Sequence, residues 1–550
     1  MKDIIANTLS KHHSSTAASL KNAPGLPGQT AVPQEQPRRP PNFHFRWREA
    51  CAVALFCTAT TIAWADGRKG PPPPPFETLV NFDGANGANG DNPSSVALVQ
   101  GIDGNFYGTT VTGGDYGDGT IYNIAPDGTL TTLWNFCAAA GCPDGSGPAA
   151  GLVQTADGSF YGTTEGGGAY GHGTVFKFSL VSIPSFGSVW LPTTLYSFCK
   201  EAGCPDGDGP TAPLVQATDG NLYGTTHTGG DNGFGTVFKF TLATGTLTTL
   251  YRFNPVTVST DGGNPYAGLV QATDGNLYGT TTVGGGNCGS GTVFKINPVV
   301  TPTTSPTLYY FHWGCGGIDG AYPYGGLVQA TDGNLYGTTS AGGTGYGTVF
   351  KINPATTSPT STVLRPLHYF CSDEPGCTDG ENPYAGLVLA SDGNLYGTTD
   401  AGGANGDGTI FQITPAGTLT TLHSFAGTDG SQPAGGLVQG TSGILYGTTQ
   451  QGGGADNDGT IFSLDLYLAP MVVTLPASGT VGTSVIILGT ALEGASPHVY
   501  FNGIPAVYKV LSDSEISATV PPKATTGPVS VPIAGGLLGT LKSIVPFLVP

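Results

Sequence analysis

Basic side chains are scarce in this chain of 550 residues, which has 19 Lys and Arg against 37 Asp and Glu. Residues 1–65 hold 7 of the basic residues but only 3 of the acidic ones, so residues 66–550 carry 12 basic and 34 acidic side chains, a net charge of −22. Because a body this acidic repels phosphate groups, nucleic acid is not expected as a partner.

Long hydrophobic runs are also missing. The apolar stretch near the N-terminus, residues 50–65, has 16 residues, whereas a membrane span needs ~20. It follows Arg46 and Arg48 and ends in Ala63-Trp64-Ala65, the small-x-small form that a signal peptidase accepts. We therefore predict a polar leader at 1–49, expected to be disordered, a signal-peptide-like segment at 50–65, and a secreted or cell-surface protein without a transmembrane domain in its mature form. An uncleaved anchor is the alternative.

Recognisable catalytic motifs are absent as well. The sequence has neither a Gly-x-x-x-x-Gly-Lys-Ser/Thr run nor a His-Glu-x-x-His motif. Its Gly-Gly-x-x-Gly-x-Gly-Thr loops lead into strands, and a dinucleotide site would need a helix there. The histidines beyond residue 65 are predicted to be packing or edge residues without triad partners: His172, His227, His312, His368, His423 and His498. No catalytic residue, and hence no enzyme, is predicted.

Glycine, in contrast, is abundant at 89 residues, and it accompanies a repeat that is written seven times. The copies are separated by 50 to 62 residues, a spacing typical of propeller blades. Each contains a Tyr-Gly-Thr-Thr core, whose tyrosines are Tyr107, Tyr161, Tyr223, Tyr278, Tyr336, Tyr396 and Tyr446.

The fourth copy shows four candidate strands joined by short connections. They are Ala267–Thr273, Asn276–Thr281, Thr292–Ile296 and Leu308–Phe311, and the Asp-Gly dipeptide between the first two is a strong hairpin signal. These strands must meander antiparallel. Because glycine inside a strand is normally unfavourable, the glycine of Tyr-Gly-Thr-Thr predicts that another backbone approaches closely.

The two ends of the array predict how it is completed. Glu77–Phe82 matches the fourth strand of a copy, while the last copy stops after its third strand, Gly459–Leu464. An N-terminal strand that completes the last sheet would leave no open edge. We therefore predict an all-β protein: a Pro-rich linker at 66–76, a closed seven-bladed β-propeller at 77–467, and a small immunoglobulin-like β-sandwich at 468–550.

Three resemblances agree with this organisation. The Gly-Leu-Val-Gln, Tyr-Gly-Thr-Thr and Gly-Thr-Val-Phe-Lys segments resemble the GloVer tandem repeat, which occurs in exported bacterial proteins with varied surface anchors. The strand order also resembles propellers of the NHL type. The tail, with Pro476–Gly479, Gly482–Gly489 and Val499–Gly503, resembles an IPT/TIG domain. The GloVer resemblance implies a surface protein and supplies no catalytic residues.

Eight cysteines lie beyond the apolar segment. Three pairs fall in equivalent loops, and paired loop cysteines of an exported protein indicate local disulfides. A zinc site is the alternative. In an antiparallel meander the two remaining cysteines fall on one face. The predicted disulfides are Cys137–Cys142, Cys199–Cys204, Cys371–Cys377 and Cys288–Cys315.

The residue directly after Tyr-Gly-Thr-Thr varies between copies, while the repeated sequence around it is constant. In chain order it is Val111, Glu165, His227, Thr282, Ser340, Asp400 and Gln450. Variation there is explained either by tolerance at an exposed position or by a ring that faces a ligand. For the second case we predict binding by Glu165, His227 and Asp400. Aromatic residues of the same loops would supply stacking area for sugar rings: Tyr116, Tyr170, Phe234 and Tyr346.

The resulting prediction is an exported, surface-associated binding or scaffold protein, with a glycan, another surface polymer or a surface protein as partner. Its rivals are a polysaccharide hydrolase or lyase that uses Glu165, His227 and Asp400, and a purely structural protein. No cofactor is required. Calcium remains an option because Asp and Asn cluster in Asp83–Asn92 and Ala455–Gly459, although turn chemistry explains such clusters equally.

Overall fold

Short antiparallel strands make up nearly all regular structure in this protein. The structure is a computed structural model and describes residues 75–550 except 84–88, 94–96, 184–186, 257–259, 301, 303, 356–363, 373–375, 495–497 and 534–537. The predictions for the polar leader, the signal-like segment and most of the Pro-rich linker lie outside the described residues. The described residues belong to one compact unit, Pro74–Pro550.

Each of the seven repeats forms a four-stranded antiparallel sheet in the order first, second, third and fourth strand. The strands are Val99–Gln100, Phe106–Thr112, Thr120–Ile124 and Leu130–Asn135; Val153–Gln154, Phe160–Thr164, Thr174–Ile183 and Gly187–Ser197; Val215–Gln216, Leu222–Thr226, Thr236–Thr241 and Thr246–Arg252; Val270–Gln271, Leu277–Thr281, Thr292–Ile296 and Thr307–Tyr310; Val328–Gln329, Leu335–Thr339, Thr348–Ile352 and Leu364–Tyr369; Val388–Leu389, Leu395–Thr399, Thr409–Ile413 and Leu419–Ser424; and Val438–Gln439, Leu445–Thr449, Thr460–Leu464 and Phe76–Asn81.

The N-terminal strand takes the place that the sequence predicts. Phe76–Asn81 pairs antiparallel with Thr460–Leu464 and so supplies the fourth strand of the seventh sheet. The first strands are shorter than predicted, since only Val270–Gln271 of Ala267–Thr273 is paired in the fourth sheet. A fifth strand, Asp91–Pro93, extends the first sheet, and Gly262–Gly263 pairs with Val283–Gly284. Three single 3₁₀ turns complete the described elements: Gly286–Cys288, Trp313–Cys315 and Leu492–Gly494.

The conserved frame of each copy is explained by contacts inside its own sheet. In the fourth sheet, the Tyr278 hydroxyl donates to Asp274 of the Asp-Gly hairpin (2.8 Å). The hydroxyls of Thr281 and Thr292 form a buried pair at 2.7 Å, and the equivalent pair is present in all seven sheets. Because a buried hydroxyl without a partner is unfavourable, this pair accounts for two of the repeated threonines.

The prediction that a backbone packs against the glycine of Tyr-Gly-Thr-Thr is wrong. A Cβ atom on Gly279 would lie 2.5 Å from Cζ of Phe294 and 2.9 Å from a methyl carbon of Leu269, so side chains occupy the space. Phe294 is the residue directly opposite Gly279 in the neighbouring strand. The phenyl ring therefore covers the glycine, and a larger residue has no room.

Neighbouring sheets are joined by two repeated hydrogen bonds. In each of six sheets, the first threonine of Tyr-Gly-Thr-Thr donates to a carbonyl of the next sheet, as Thr338 does to Ala385 at 2.7 Å. The glutamine of Gly-Leu-Val-Gln accepts from the hairpin of the preceding sheet, as Gln329 does from the Thr273 N–H at 2.8 Å.

The first and seventh sheets contact each other in the same way. The Thr441 N–H donates to the Gln100 side chain at 2.9 Å, which repeats the link between consecutive sheets. The rings of Phe106 and Tyr446 lie 4.1 Å apart, in a buried cluster that also contains Ile461. Each sheet therefore packs its aromatic and aliphatic side chains against its neighbours, including the last against the first.

The tail forms two packed sheets around its own core. One contains Val473–Leu475, Ser484–Leu488, Glu515–Thr519 and Tyr508–Ser512, and the other Ile504–Ala506, Val499–Phe501, Val529–Pro532 and Thr540–Lys542. The core includes Ile487, Phe501 and Phe547, each at most 1% exposed. This sandwich touches the repeats, because the Met471 N–H donates to the Thr441 carbonyl (3.1 Å) and Ile544 packs on the cluster around Tyr336.

All four predicted disulfides are confirmed: Cys137–Cys142, Cys199–Cys204, Cys288–Cys315 and Cys371–Cys377. The three short loops place both of their cysteines in the left-handed backbone region. The sulfur atoms that the zinc alternative requires are thus bonded to one another.

Candidate functional site

The variable residues after Tyr-Gly-Thr-Thr are held by a repeated backbone arrangement. The residue before the proline that precedes each first strand has a left-handed backbone, for example Asn382, whose φ is 54°. Its N–H donates to the preceding sheet, to the carbonyl of Tyr346 (2.8 Å), and its carbonyl accepts from the Asp400 N–H (3.1 Å). The same two bonds hold His227 through Gly209 and Gln450 through Gln432, so the frame is independent of the variable side chain.

A cavity of about 600 Å³ lies where the segments before the first strands converge. Six of the seven sheets contribute to its wall. The polar side chains that border it are those of Thr211, Tyr266, Tyr324, Tyr384, Asp400, Gln432 and Gln450. Its volume is within the range of ~300–1,000 Å³ that is usual for small-ligand sites.

Three tyrosines form a row along this cavity, which we call the tyrosine row: Tyr266, Tyr324 and Tyr384. The ring centroids of Tyr266 and Tyr324 are 5.5 Å apart with nearly perpendicular planes, and those of Tyr324 and Tyr384 are 5.1 Å apart. The imidazole of His227 continues the row, edge to face with Tyr266 at 5.6 Å. Such contacts fix the rings while leaving their remaining surface to a ligand.

Of the predicted residues, Asp400 is in the cavity wall and His227 contacts the row, whereas Glu165 is outside the wall. Asp400 borders the cavity, and its charge acts on Tyr384. Glu165 is exposed, and its charge acts on Tyr266, which His227 also contacts. The two carboxylates therefore act on the two end rings of the row, and Tyr324 lies between those rings.

Burial perturbs the ionisation of these groups. It raises the pKa of Asp400 and lowers the pKa of His227, so both groups favour their neutral forms more than they do in water. The pKa of Tyr266 is raised by burial and by the charge of Glu165, and that of Tyr384 by burial and by Asp400. Both tyrosines consequently keep their hydroxyl protons at neutral pH and can donate them.

Two buried polar atoms near the row have no hydrogen-bond partner within the described residues. They are Nδ1 of His227 and the hydroxyl oxygen of Thr211, a cavity residue that is 7% exposed. Buried polar atoms are nearly always satisfied, and ligand-binding sites are a common exception. Thr211 belongs to the cavity wall, whereas His227 reaches the row only through its ring contact with Tyr266.

The four aromatic residues predicted from the loops do not border this cavity. Tyr116, Tyr170 and Tyr346 are 38%, 45% and 40% exposed, and Phe234 packs in a hydrophobic cluster. The loops of Tyr116 and Tyr170 are bonded to the fourth strands of their sheets, at Asn135 and Ser197. The structure thus separates the predicted residues into a group beside the tyrosine row and a group away from the cavity. Whether either group binds a ligand stays a prediction.

Sequence reasoning missed the tyrosine row, although a signal for it was present. Tyr266, Tyr324 and Tyr384 each follow the proline that precedes a first strand, in three consecutive copies. Other copies have a small residue at this place: Ala149, Thr211 and Ala434. A second variable position within the constant frame therefore existed beside the one that we selected.

Four histidines outside the row are paired with carboxylates, which sequence reasoning did not foresee: His172, His312, His368 and His423. His368 bonds Asp379 at 2.8 Å and His423 bonds Asp429 at 3.0 Å. In the third and fourth sheets the same place is taken by tyrosines, as in the bond from Tyr251 to Asp261 (2.9 Å). This pair ties the fourth strand to the following loop, so the histidines have a structural role there.

The two loops considered for calcium meet beside a second cavity, of about 370 Å³. Asp91 and Asn92 come from one loop, and Asp456 and Asp458 from the other. The Asn92 N–H donates to the Asp458 carbonyl (3.2 Å), the bond that elsewhere joins consecutive sheets. This arrangement belongs to the contact between the first and seventh sheets, and calcium binding stays a prediction.

Repeated antiparallel sheets followed by an immunoglobulin-like domain define a class of modular all-β repeat proteins. The Gloeobacter/Verrucomicrobia repeat profile matches residues 71–260, 184–376 and 306–495, and the IPT/TIG domain profile matches residues 472–547. The repeat matches span well over half of the sequence, and the chain belongs to the Gloeobacter/Verrucomicrobia repeat family. The predicted resemblances to the GloVer repeat and to the IPT/TIG domain are confirmed, and the resemblance to propellers of the NHL type stays a prediction. A comparison with curated proteins found no match.

Several solved structures show distant similarity. Aldose sugar dehydrogenase from Streptomyces coelicolor, in its PQQ-bound form, is 13% identical with a TM-score of 0.37, covering 72% of this chain and 99% of that chain. The periplasmic gluconolactonase of Pseudomonas aeruginosa is 17% identical with a TM-score of 0.38, covering 65% and 96%. A fungal alcohol oxidase in complex with copper is 12% identical with a TM-score of 0.41, covering 86% and 99%. At such TM-scores no activity or site follows for this chain.

In the part of the chain that the structure describes, no helix has the length and hydrophobicity required to cross a membrane.

Proposed function

We propose that this chain is an exported, surface-associated binding protein whose repeats form one closed seven-bladed β-propeller. The contacts between consecutive sheets recur between the seventh and the first, which supports closure. The four disulfides are consistent with an extracellular location, because disulfides persist in oxidising compartments. The IPT/TIG domain would act as a spacer that touches the propeller through Met471 and Ile544.

The ligand is a glycan or another polyhydroxylated surface polymer, bound at the tyrosine row. The observation that carries this proposal is a cavity of about 600 Å³ bordered by three tyrosines, one carboxylate and two carboxamides. Aromatic rings provide surface for the apolar faces of sugars, while hydroxyl, carboxylate and amide groups match sugar hydroxyls. Thr211, whose hydroxyl oxygen has no partner within the described residues, adds a further polar group to the wall.

Binding is favoured over catalysis by the arrangement of Glu165, His227 and Asp400. Glu165 and Asp400 act on different tyrosines, and Tyr324 lies between those two rings. A hydrolytic site needs its acid and base at one scissile bond, whereas these two carboxylates act on rings at opposite ends of the row. The row is instead suited to contacting a ligand along its length.

A glycan array screened with the purified full-length protein, with and without calcium, tests the proposal. The oligosaccharide that binds best is then titrated into wild type and into Tyr324→Ala. We expect the variant to lose at least about tenfold in affinity, because it removes the central ring of the row. The array arm without calcium separates a calcium-dependent site from the cavity proposed here.

The matched control replaces Tyr116, Tyr170 and Tyr346 together by alanine. These rings are exposed and outside the cavity, so the triple variant should fold like wild type. Its affinity for the oligosaccharide is expected to stay within about twofold of wild type. Circular dichroism verifies that both variants are folded. Loss of affinity in the control with full affinity in Tyr324→Ala would move the site to the loop tips, and absence of any glycan ligand would contradict the proposal.

A further inference from the structure

The cavity is acidic as well as aromatic. Asp400 is in its wall, the charge of Glu165 acts on Tyr266, and the described lining contains no lysine or arginine. Among the described ion pairs, none involves Glu165 or Asp400. The negative charge at the tyrosine row is therefore not neutralised by the protein's own side chains.

Four basic residues of the repeats form ion pairs elsewhere. Three lysines bind the aspartates of the hairpins between first and second strands, as Lys239 does with Asp219 at 2.6 Å. Arg252 lies 3.4 Å from Asp231. Because these partners belong to hairpins and loops that do not border the cavity, they leave its charge unchanged.

A carboxylate that is partly removed from water favours a cationic partner. Asp400 has a pKa raised by burial, which reflects the cost of holding its charge in this environment. An incoming cation would repay that cost, and aromatic rings around it would add attraction between the cation and their π-faces. A neutral sugar would interact with the Asp400 carboxylate only through hydrogen bonds.

We propose that the tyrosine row recognises a protonated amine carried by a sugar, with Asp400 as its charge partner and Glu165 contributing from the other end of the row. This rests on the proposed function, because it names the chemical class of the glycan at the same site. The ligand is thus a cationic amino sugar rather than a neutral or acidic one. Acidic polymers are disfavoured by the charge of the cavity.

The test uses two oligosaccharides with the same backbone that differ in charge. Oligomers of β-1,4-linked glucosamine carry protonated amines, and their N-acetylated counterparts are neutral. Both are titrated calorimetrically into the full-length protein at low and moderate salt. We expect at least a tenfold preference for the amine form that decreases with salt, as charge recognition requires.

Three variants assign that preference to residues. Asp400→Asn should reduce it to about threefold or less, and Glu165→Gln should reduce it partially. Glu201→Gln removes the same charge from an exposed loop outside the cavity and should leave the preference unchanged. This control corrects for general attraction of cations to an acidic protein.

Each result is decisive. Equal affinity for the two oligomers would overturn the amine proposal and leave the glycan site standing. Absence of binding by both forms, and of any ligand on the array, would contradict the proposed function itself. A preference that persists in Asp400→Asn, or that Glu201→Gln reduces equally, would place amine recognition away from the tyrosine row and overturn the assignment.

Discussion

The glycine of Tyr-Gly-Thr-Thr provides the most direct test of how the sheets pack. In the seventh sheet this residue is Gly447, and a Cβ atom added to it would lie 2.5 Å from Cζ of Phe462 and 2.8 Å from a methyl carbon of Leu437. Phe462 is fully buried and packs against Phe76 and Phe425, so it has little freedom to move. We expect Gly447→Ala to destabilise the protein.

The magnitude follows from two opposing effects. Forcing an extra methyl group into a packed core costs typically about 1–3 kcal/mol. Replacing glycine with alanine also restricts the unfolded chain, which stabilises the protein by about 0.4–1 kcal/mol. The net expectation is a loss of about 1–2 kcal/mol in the free energy of unfolding, measured by urea denaturation with circular dichroism.

Gly454 in the following loop is a matched control. Its backbone is outside the left-handed region, and the nearest atom to an added Cβ is 3.9 Å away, at Asn81. Gly454→Ala should therefore be neutral or slightly stabilising. A third variant, Gly447→Ala combined with Phe462→Leu, shortens the side chain that causes the clash and should lose less than the sum of the single changes.

Equal urea midpoints for Gly447→Ala and Gly454→Ala would refute this reasoning. Additive losses in the double variant would show that the clash with Phe462 is not the cause. Unchanged denaturant slopes are expected throughout, since a change in slope would indicate altered native or denatured states instead of altered stability.

Two further predictions concern the completed seventh sheet and the cavity. Phe76→Ala should lower the free energy of unfolding by about 2 kcal/mol or more, because this ring stacks on His423 at 3.9 Å. The neighbouring side chain of Glu77 is exposed, so Glu77→Ala should have little effect. Equal thermal stability of the two variants would contradict the closure. Asp400→Asn should stabilise the protein at pH 7 but not near pH 3. The pKa of the Asp400 carboxyl is raised in the folded protein, so this group destabilises the fold once the pH is high enough to ionise it. A difference in melting temperature that does not depend on pH would contradict burial of that carboxyl.

Much of the fold was accessible from sequence because its signals are local and repeated. The third strand of the fourth copy, Thr292–Ile296, has the predicted bounds. The N-terminal strand pairs with the third strand of the last copy, as predicted from the missing fourth strand of that copy. Cys288 and Cys315 were paired from topology alone. An antiparallel meander converts sequence order into spatial order, so residues in successive connections can be placed on one face.

The prediction that a backbone approaches the glycine of Tyr-Gly-Thr-Thr was wrong for a physical reason. A glycine in a strand signals close approach, but sequence does not state which atoms approach. The register that pairs Gly279 with Phe294 follows from the hairpin, and it puts the phenyl ring over the glycine. A prediction of register, and not only of strands, would have identified the ring.

The candidate site was harder to predict because it is assembled from different copies. Tyr266, Tyr324 and Tyr384 are more than 50 residues apart in sequence and read locally as turn residues after proline. Only the convergence of several sheets brings each ring to within 5.5 Å of the next one in the row. Conversely, Tyr116 and Tyr170 looked suitable for stacking because they share a loop with the variable position, yet that loop is bonded to the fourth strand.

The constant frame explains how such a site can exist in so regular a protein. Backbone hydrogen bonds hold Asp400 through Asn382 and Gln450 through Gln432, so neither position depends on its side chain for placement. Substitutions there cost the fold little and are free to alter the chemistry of the cavity. Because tyrosines occupy the post-proline position in three consecutive copies only, the aromatic surface is confined to one part of the cavity wall. A ligand is therefore expected to bind asymmetrically, against that part, even though the sheets that surround it are nearly identical.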